Sequence, residues 1–225
     1  MKLGICEVVV YDQHRFSNTE LENLATDTLA INPLGKIYNE IKVVPTIDMT
    51  SYGKNIYGII HDMLREPEWR DTYREKHGVD VIAYIAYDDQ FDKSGDGVKD
   101  AGWSFGDSGT YGKGPVFVYG TRPRLQTVAH EIGHLFGLDH EQRGEPDIMS
   151  EPIDNNEIAT FSPINKRHIE YVVAIQNGST ERKHKRYGEA MEEGADYAIT
   201  RLLEKGEFKE GMIKRSLKRL HLMHS

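Results

Sequence analysis

Residues 5 to 11 are rich in β-branched side chains and predict a first strand. Ser17 and Glu20 then stand three apart, the signature of a capping box, and Leu21, Leu24, Ala25 and Leu29 follow at helical spacing. A second apolar, β-rich run covers residues 41 to 47. Helical spacing returns from about 54 to 77 in Ile56, Ile59, Ile60, Met63 and Leu64, with Pro67 breaking it. Residues 79 to 87, VDVIAYIAY, form a nearly continuous apolar run, as expected of a strand covered on both faces. Strands alternating with helices predict right-handed crossovers and a mainly parallel sheet.

Residues 88 to 114 break the pattern, being rich in Gly, Asp and Ser. Residues 115 to 120, PVFVYG, predict a further strand. Thr121 then offers an N-cap, Pro123 fits the first turn, and Leu125, Val128, Ala129, Ile132 and Leu135 supply the apolar face of a helix. Ser162 and Pro163 look like N-cap and first residue of another helix, running to about Gln176. The pattern therefore predicts a principal domain over 1–176, an exposed linker over 177–188, and a helical extension over 189–225 with amphipathic stretches near 189–205 and 207–222.

A chain of 225 residues with 38% hydrophobic content is long enough to bury a full core. Its single cysteine, Cys6, lies in an apolar run and excludes an internal disulfide. The opening ten residues are too short an apolar run for a signal peptide and are interrupted by Glu7, and no run approaches transmembrane length, so an intracellular protein is the expectation. A net charge of −8 argues against general nucleic-acid binding. That charge is uneven: residues 178 to 225 carry 11 Lys and Arg against 8 Asp and Glu, a net +3, leaving −11 for the remainder. No feature of the sequence sets an oligomeric state.

The chemistry is concentrated in residues 130 to 140, HEIGHLFGLDH. His130, Glu131, His134, Gly137 and His140 fill the pattern H-E-x-x-H-x-x-G-x-x-H, a coincidence expected on the order of once in ten thousand at this composition. Residues four apart on a helix differ by about 40° in azimuth and about 6 Å in height, so His130 and His134 can converge on one ion. Gly137 can adopt positive φ, end the helix and return the chain, so that His140 approaches the same ion from outside. Three protein ligands leave one position for water on a four-coordinate zinc, the arrangement of a catalytic site. Glu131 lies beside the ligand face, within reach of that water, and suits a general base. The remaining histidines, at 14, 61, 77, 168, 184, 221 and 224, have no ligand-spaced partner and read as packed or surface residues.

This motif resembles that of the metzincin clan of zinc endopeptidases, in which it is followed by a Met-turn. Met149, nine residues after His140, fits that turn as an apolar floor beneath the histidines. The short gap is similar to that of matrixins and adamalysins, while HEQR at 140–143 resembles the start of the astacin extension with its arginine one place early, so no subfamily is assigned. The resemblance covers about residues 1 to 176. It implies an α/β fold of the α+β zincin type: a twisted, mostly parallel sheet, an antiparallel edge strand for which Ala101 to Phe105 is the candidate, the active-site helix, the Met-turn and C-terminal helices. It also implies a peptide or protein substrate that adds to the edge strand, and a wall of the pocket beyond the scissile bond built by residues 150 to 161. Where astacins and serralysins place a tyrosine two residues after the methionine, this chain has Glu151. The single cysteine excludes the cysteine-rich second zinc site of archaemetzincins, and nothing around Cys6 resembles the propeptide motif that holds matrixins latent.

The functional expectation is thus a zinc endopeptidase with one Zn²⁺, in which metal-activated water is deprotonated by Glu131. Two other readings stay open: an inactive zinc-binding module that holds peptides in the same cleft, and a binding protein acting through its basic tail. Asp92, Ser94, Asp96 and Gly97 resemble the start of a calcium loop, but Trp103 stands where the twelfth-position acid belongs, which leaves calcium weakly supported.

Overall fold

The computed structural model describes residues 1–11, 16–53, 55–87, 102–106, 111–120, 125–140, 147–150 and 160–176. The expected N-cap at Thr121 and Pro123, the calcium-like loop, Glu151 with most of the pocket wall, the HEQR stretch beyond His140, and the linker and tail helices from 177 onward lie outside those residues.

Strand β1 (Lys2–Val9) is the sheet's second strand, pairing in parallel with β2 (Glu40–Val43), β3 (Ile47–Asp48) and β4 (Val81–Tyr87). Beyond β4 comes β6 (Gly114–Gly120), also parallel, and then β5 (Gly102–Ser104), antiparallel and at the sheet's edge. The mostly parallel sheet with one antiparallel edge strand is therefore as expected, and the edge falls within Ala101 to Phe105. The apolar run at 41–47 proves to be two short strands. Val44 still donates to the Ile5 carbonyl (2.9 Å), but Pro45 has no N–H to continue the ladder, and pairing resumes at Ile47.

Helices cover both faces. On one lie α1 (Asn18–Leu29), the single turn α2 (Leu34–Ile37), α5 (Leu125–Leu135) and α6 (Pro163–Gln176), burying Leu21, Val128, Ile132 and Val172 against Leu3, Ile5, Ala83 and Val118. On the other lies α3 (Ile56–Arg65), whose Ile59, Ile60 and Met63 pack on Cys6, Ile82, Tyr84 and Phe117. Alternate residues of β4 thus belong to different cores, which is why its sequence is apolar throughout. The Ser17–Glu20 capping box forms as the sequence predicts. Helix α3 stops at Arg65 because Glu66, held extended by the following Pro67, cannot continue it. A π-turn at Glu68–Thr72 then leads into α4 (Tyr73–His77). Cys6 is fully buried, and burial pushes its thiol well above the ordinary range, so it is chemically inert. Among the described residues no helix is long and apolar enough to cross a membrane.

The register of β5 fixes which backbone groups it offers. Phe105 donates to the Pro115 carbonyl at 3.1 Å, and Trp103 stands opposite Phe117. Alternate residues of an antiparallel strand turn both backbone groups toward the partner, so Gly102 and Ser104 turn theirs to the outer edge. Trp103, beside them, is 46% exposed.

Candidate metal centre

Helix α5 is buried almost throughout, from Thr127 to Gly133, and carries His130 and His134 one turn apart. Its end is a Schellman turn: Leu138 N–H donates to the Gly133 carbonyl (3.2 Å) and Gly137 N–H to that of His134 (2.9 Å). Gly137 takes the φ of 82° that this turn requires and that the sequence predicts. Three residues later His140 faces back toward the helix.

The result is a triangle. The Nε2 atoms of His130, His134 and His140 lie 3.1 Å from one another on all three sides. Nitrogens bound to one tetrahedral zinc at about 2.0–2.1 Å would stand roughly 3.3–3.4 Å apart, so the spacing fits such an ion closely. The proton positions fit as well. His130 Nδ1–H donates to the Ile148 carbonyl (2.8 Å) and His134 Nδ1–H to that of Leu138 (2.7 Å), which leaves the lone pairs of both Nε2 atoms directed into the triangle. Three imidazole nitrogens brought to one point are a donor set for a cation.

Burial lowers the affinity of His130 for a proton to a pKa of about 4; nearby His134 adds to this and the Ile148 hydrogen bond opposes it. The folded value thus lies below the ordinary 6.5, and between them the unfolded chain binds more protons than the folded one. The metal-free protein should therefore lose stability as pH falls from about 6.5 to about 4, by roughly 1.4 kcal/mol per unit from this group. Thermal midpoints measured in chelator across that window check it: His130→Asn should show a shallower slope, and equal slopes would count against the assignment.

Residues 147–149 pack against this helix. Met149 is fully buried, and a Cβ placed on Gly133 would lie 2.5 Å from its sulfur, so the helix carries a glycine where the methionine presses upward. Alanine in a helix interior ordinarily gains about 1 kcal/mol over glycine. Here Gly133→Ala should instead cost about 1–3 kcal/mol, because the sulfur has nowhere to retreat. In a Met149→Ala background, where Phe161 Cε1 at 3.2 Å is the remaining close neighbour, most of that cost should disappear; denaturant titration of the four proteins measures both.

Asp147, 1% exposed, holds this turn. Its Oδ1 accepts from Met149 N–H (2.7 Å), and its Oδ2 accepts from Ser162 N–H (2.6 Å) and from the Asn165 side chain (2.9 Å) at the start of α6. One carboxylate therefore locks the turn to the helix that follows it, and through the Ile148 carbonyl to His130. Sequence reasoning missed Gly133 and Asp147. An Asp two residues before the N–H that it captures is an Asx-turn signal, and it could have identified Asp147; nothing local marks Gly133. Glu131, the residue after His130 on the helix, is 5% exposed, with its side chain against Gly102 of the edge strand. His168 is buried and hydrogen-bonded to the Phe136 carbonyl (2.9 Å), a packed histidine as read from sequence. Among the described residues the three motif histidines are the one cluster able to hold a metal.

Residues 37–141 match the sequence profile of Metallo-peptidase family M12B, Reprolysin-like. The stretch contains all three histidines and Glu131 and ends before Met149, and the match supports the resemblance to a zinc metallopeptidase of metzincin type. No curated protein matches the chain. Among the solved structures similar to it are one described as the structure of a chaperone-substrate complex (13% identity, 88% of this chain, 34% of that one, TM-score 0.48) and metalloproteinase-II from Bacteroides fragilis (18% identity, 75% of this chain, 52% of that one, TM-score 0.47). The chain thus spans a third to a half of the length of these two.

Proposed function

We propose that the protein is a zinc-dependent endopeptidase of metzincin type, with His130, His134 and His140 as ligands of one zinc, Glu131 as general base and Met149 in the Met-turn. The observation that carries this is the equilateral triangle of Nε2 atoms, 3.1 Å on each side, with Glu131 following the first ligand in the chain. A bound zinc would supply Lewis-acid polarisation of the scissile carbonyl and stabilise the charge that develops there. The chain's own residues do the rest. Glu131 takes the proton of the attacking water and passes it to the leaving amine, so that the amine departs neutral. An extended peptide adds to the outer edge of β5, where the backbone groups of Gly102 and Ser104 orient it across the triangle. Retention of Glu131 favours catalysis over a module that merely holds zinc and peptide, since metal binding has no need of that carboxylate.

The test combines metal analysis with cleavage of a diverse peptide library. We expect about one zinc per chain after desalting, and cleavage that chelator abolishes and zinc restores. Zinc surviving replacement of both His130 and His134 by Ala would contradict the site, and a fully loaded protein that cleaves nothing would contradict the activity.

A further inference from the structure

Gly102 occupies an unusual place on the edge strand. A Cβ built on it would stand 2.7 Å from both Cγ and Oε1 of Glu131 and 3.0 Å from its Cδ. Carbon atoms in contact prefer about 3.5–4.0 Å, so any side chain at 102 would have to push the carboxylate aside by about 1 Å. The backbone offers no competing explanation for the glycine. Gly102 lies in regular strand without positive φ, a conformation open to alanine. Glu131 has little freedom to yield, being buried on a helix whose neighbouring residues, Thr127 to Gly133, are buried too. Meanwhile the N–H and C=O of Gly102 face the outer edge of β5, the side a peptide strand would join. One residue thus bears on the carboxylate through its missing side chain and on the incoming chain through its backbone.

We infer that Gly102 is a positioning residue for Glu131: the space left by its absent side chain is where the carboxylate rests, set against the edge that receives the peptide. This deepens the proposed function and rests on Glu131 being the base.

A double-mutant cycle and a kinetic comparison test it. In the first, thermal unfolding is followed without reference to activity. Gly102→Ala should lower the midpoint in the wild-type background but leave it unchanged or raise it in a Glu131→Ala background, where the obstacle is gone and alanine restricts the unfolded chain. In the second, peptide cleavage is measured at equal zinc content. Gly102→Ala should lower kcat by about 10- to 100-fold with KM nearly unchanged, because the base is displaced while the edge strand persists. A thermal loss that persists in Glu131→Ala would show that the glycine serves packing elsewhere and would overturn the inference. So would an undiminished kcat for Gly102→Ala beside an active wild type, which leaves the peptidase reading intact. A zinc-loaded wild type without activity would instead defeat the peptidase reading whatever Gly102 does.

Discussion

Glu131→Gln should abolish most peptide cleavage while leaving zinc content and thermal stability nearly unchanged. The amide keeps the shape of the carboxylate in its buried position beneath β5, and all three histidines remain in place. What it loses is the capacity to accept the proton of water. General-base catalysis is typically worth about 10² to 10⁴ in rate, so a loss of that order is expected in kcat, with KM little affected. Steady-state kinetics on a cleaved library peptide, with metal content measured on the same samples, decides the matter. A Gln variant that keeps a tenth or more of the wild-type rate at full zinc occupancy would mean that the proton goes elsewhere.

The largest effect on stability is expected at Asp147. Replacing it by Ala strands three donors, Met149 N–H, Ser162 N–H and the Asn165 amide, in a place where Asp147 itself is 1% exposed. Hydrogen bonds to a charged acceptor contribute about 1.5–3 kcal/mol each, and buried donors left unmet cost comparably. A loss of roughly 3–6 kcal/mol follows, a large part of the stability of any domain. Asn should rescue little, because its amide nitrogen must replace one oxygen and would face a donor. Zinc affinity should fall as well, by about 10- to 100-fold, since the turn that slackens carries the carbonyl holding His130. Urea unfolding and competitive metal titration measure the two losses. An unchanged urea midpoint would show that the turn is held by other contacts.

Much of this was legible in the chain because it depends on local spacing. The two-face burial of β4, the capping box at Ser17, the break at Pro67 and the φ of Gly137 each follow from a few neighbouring residues, and so does the convergence of the motif histidines. The contacts that finish the site are of another kind. Gly102 meets Glu131, Gly133 meets Met149, and Asp147 meets Asn165 across separations that no periodicity encodes. A glycine in a helix or strand is silent about what presses on it until the fold brings the partner there. The split of the 41–47 run illustrates a smaller limit: the apolar pattern continues through Pro45, but the hydrogen-bond ladder cannot.

The two carbonyls that orient His130 and His134 belong to Ile148 and Leu138, and neither side chain takes part in those bonds. Transplanting residues 130–140 into a foreign helix would therefore move the Leu138 tether with the graft and leave the Ile148 tether behind. His130 would then rotate freely and bind its ion more weakly than the motif promises. A portable version of this centre has to include the turn at 147–149 and the carboxylate that braces it, so the smallest transferable unit is a pair of distant segments.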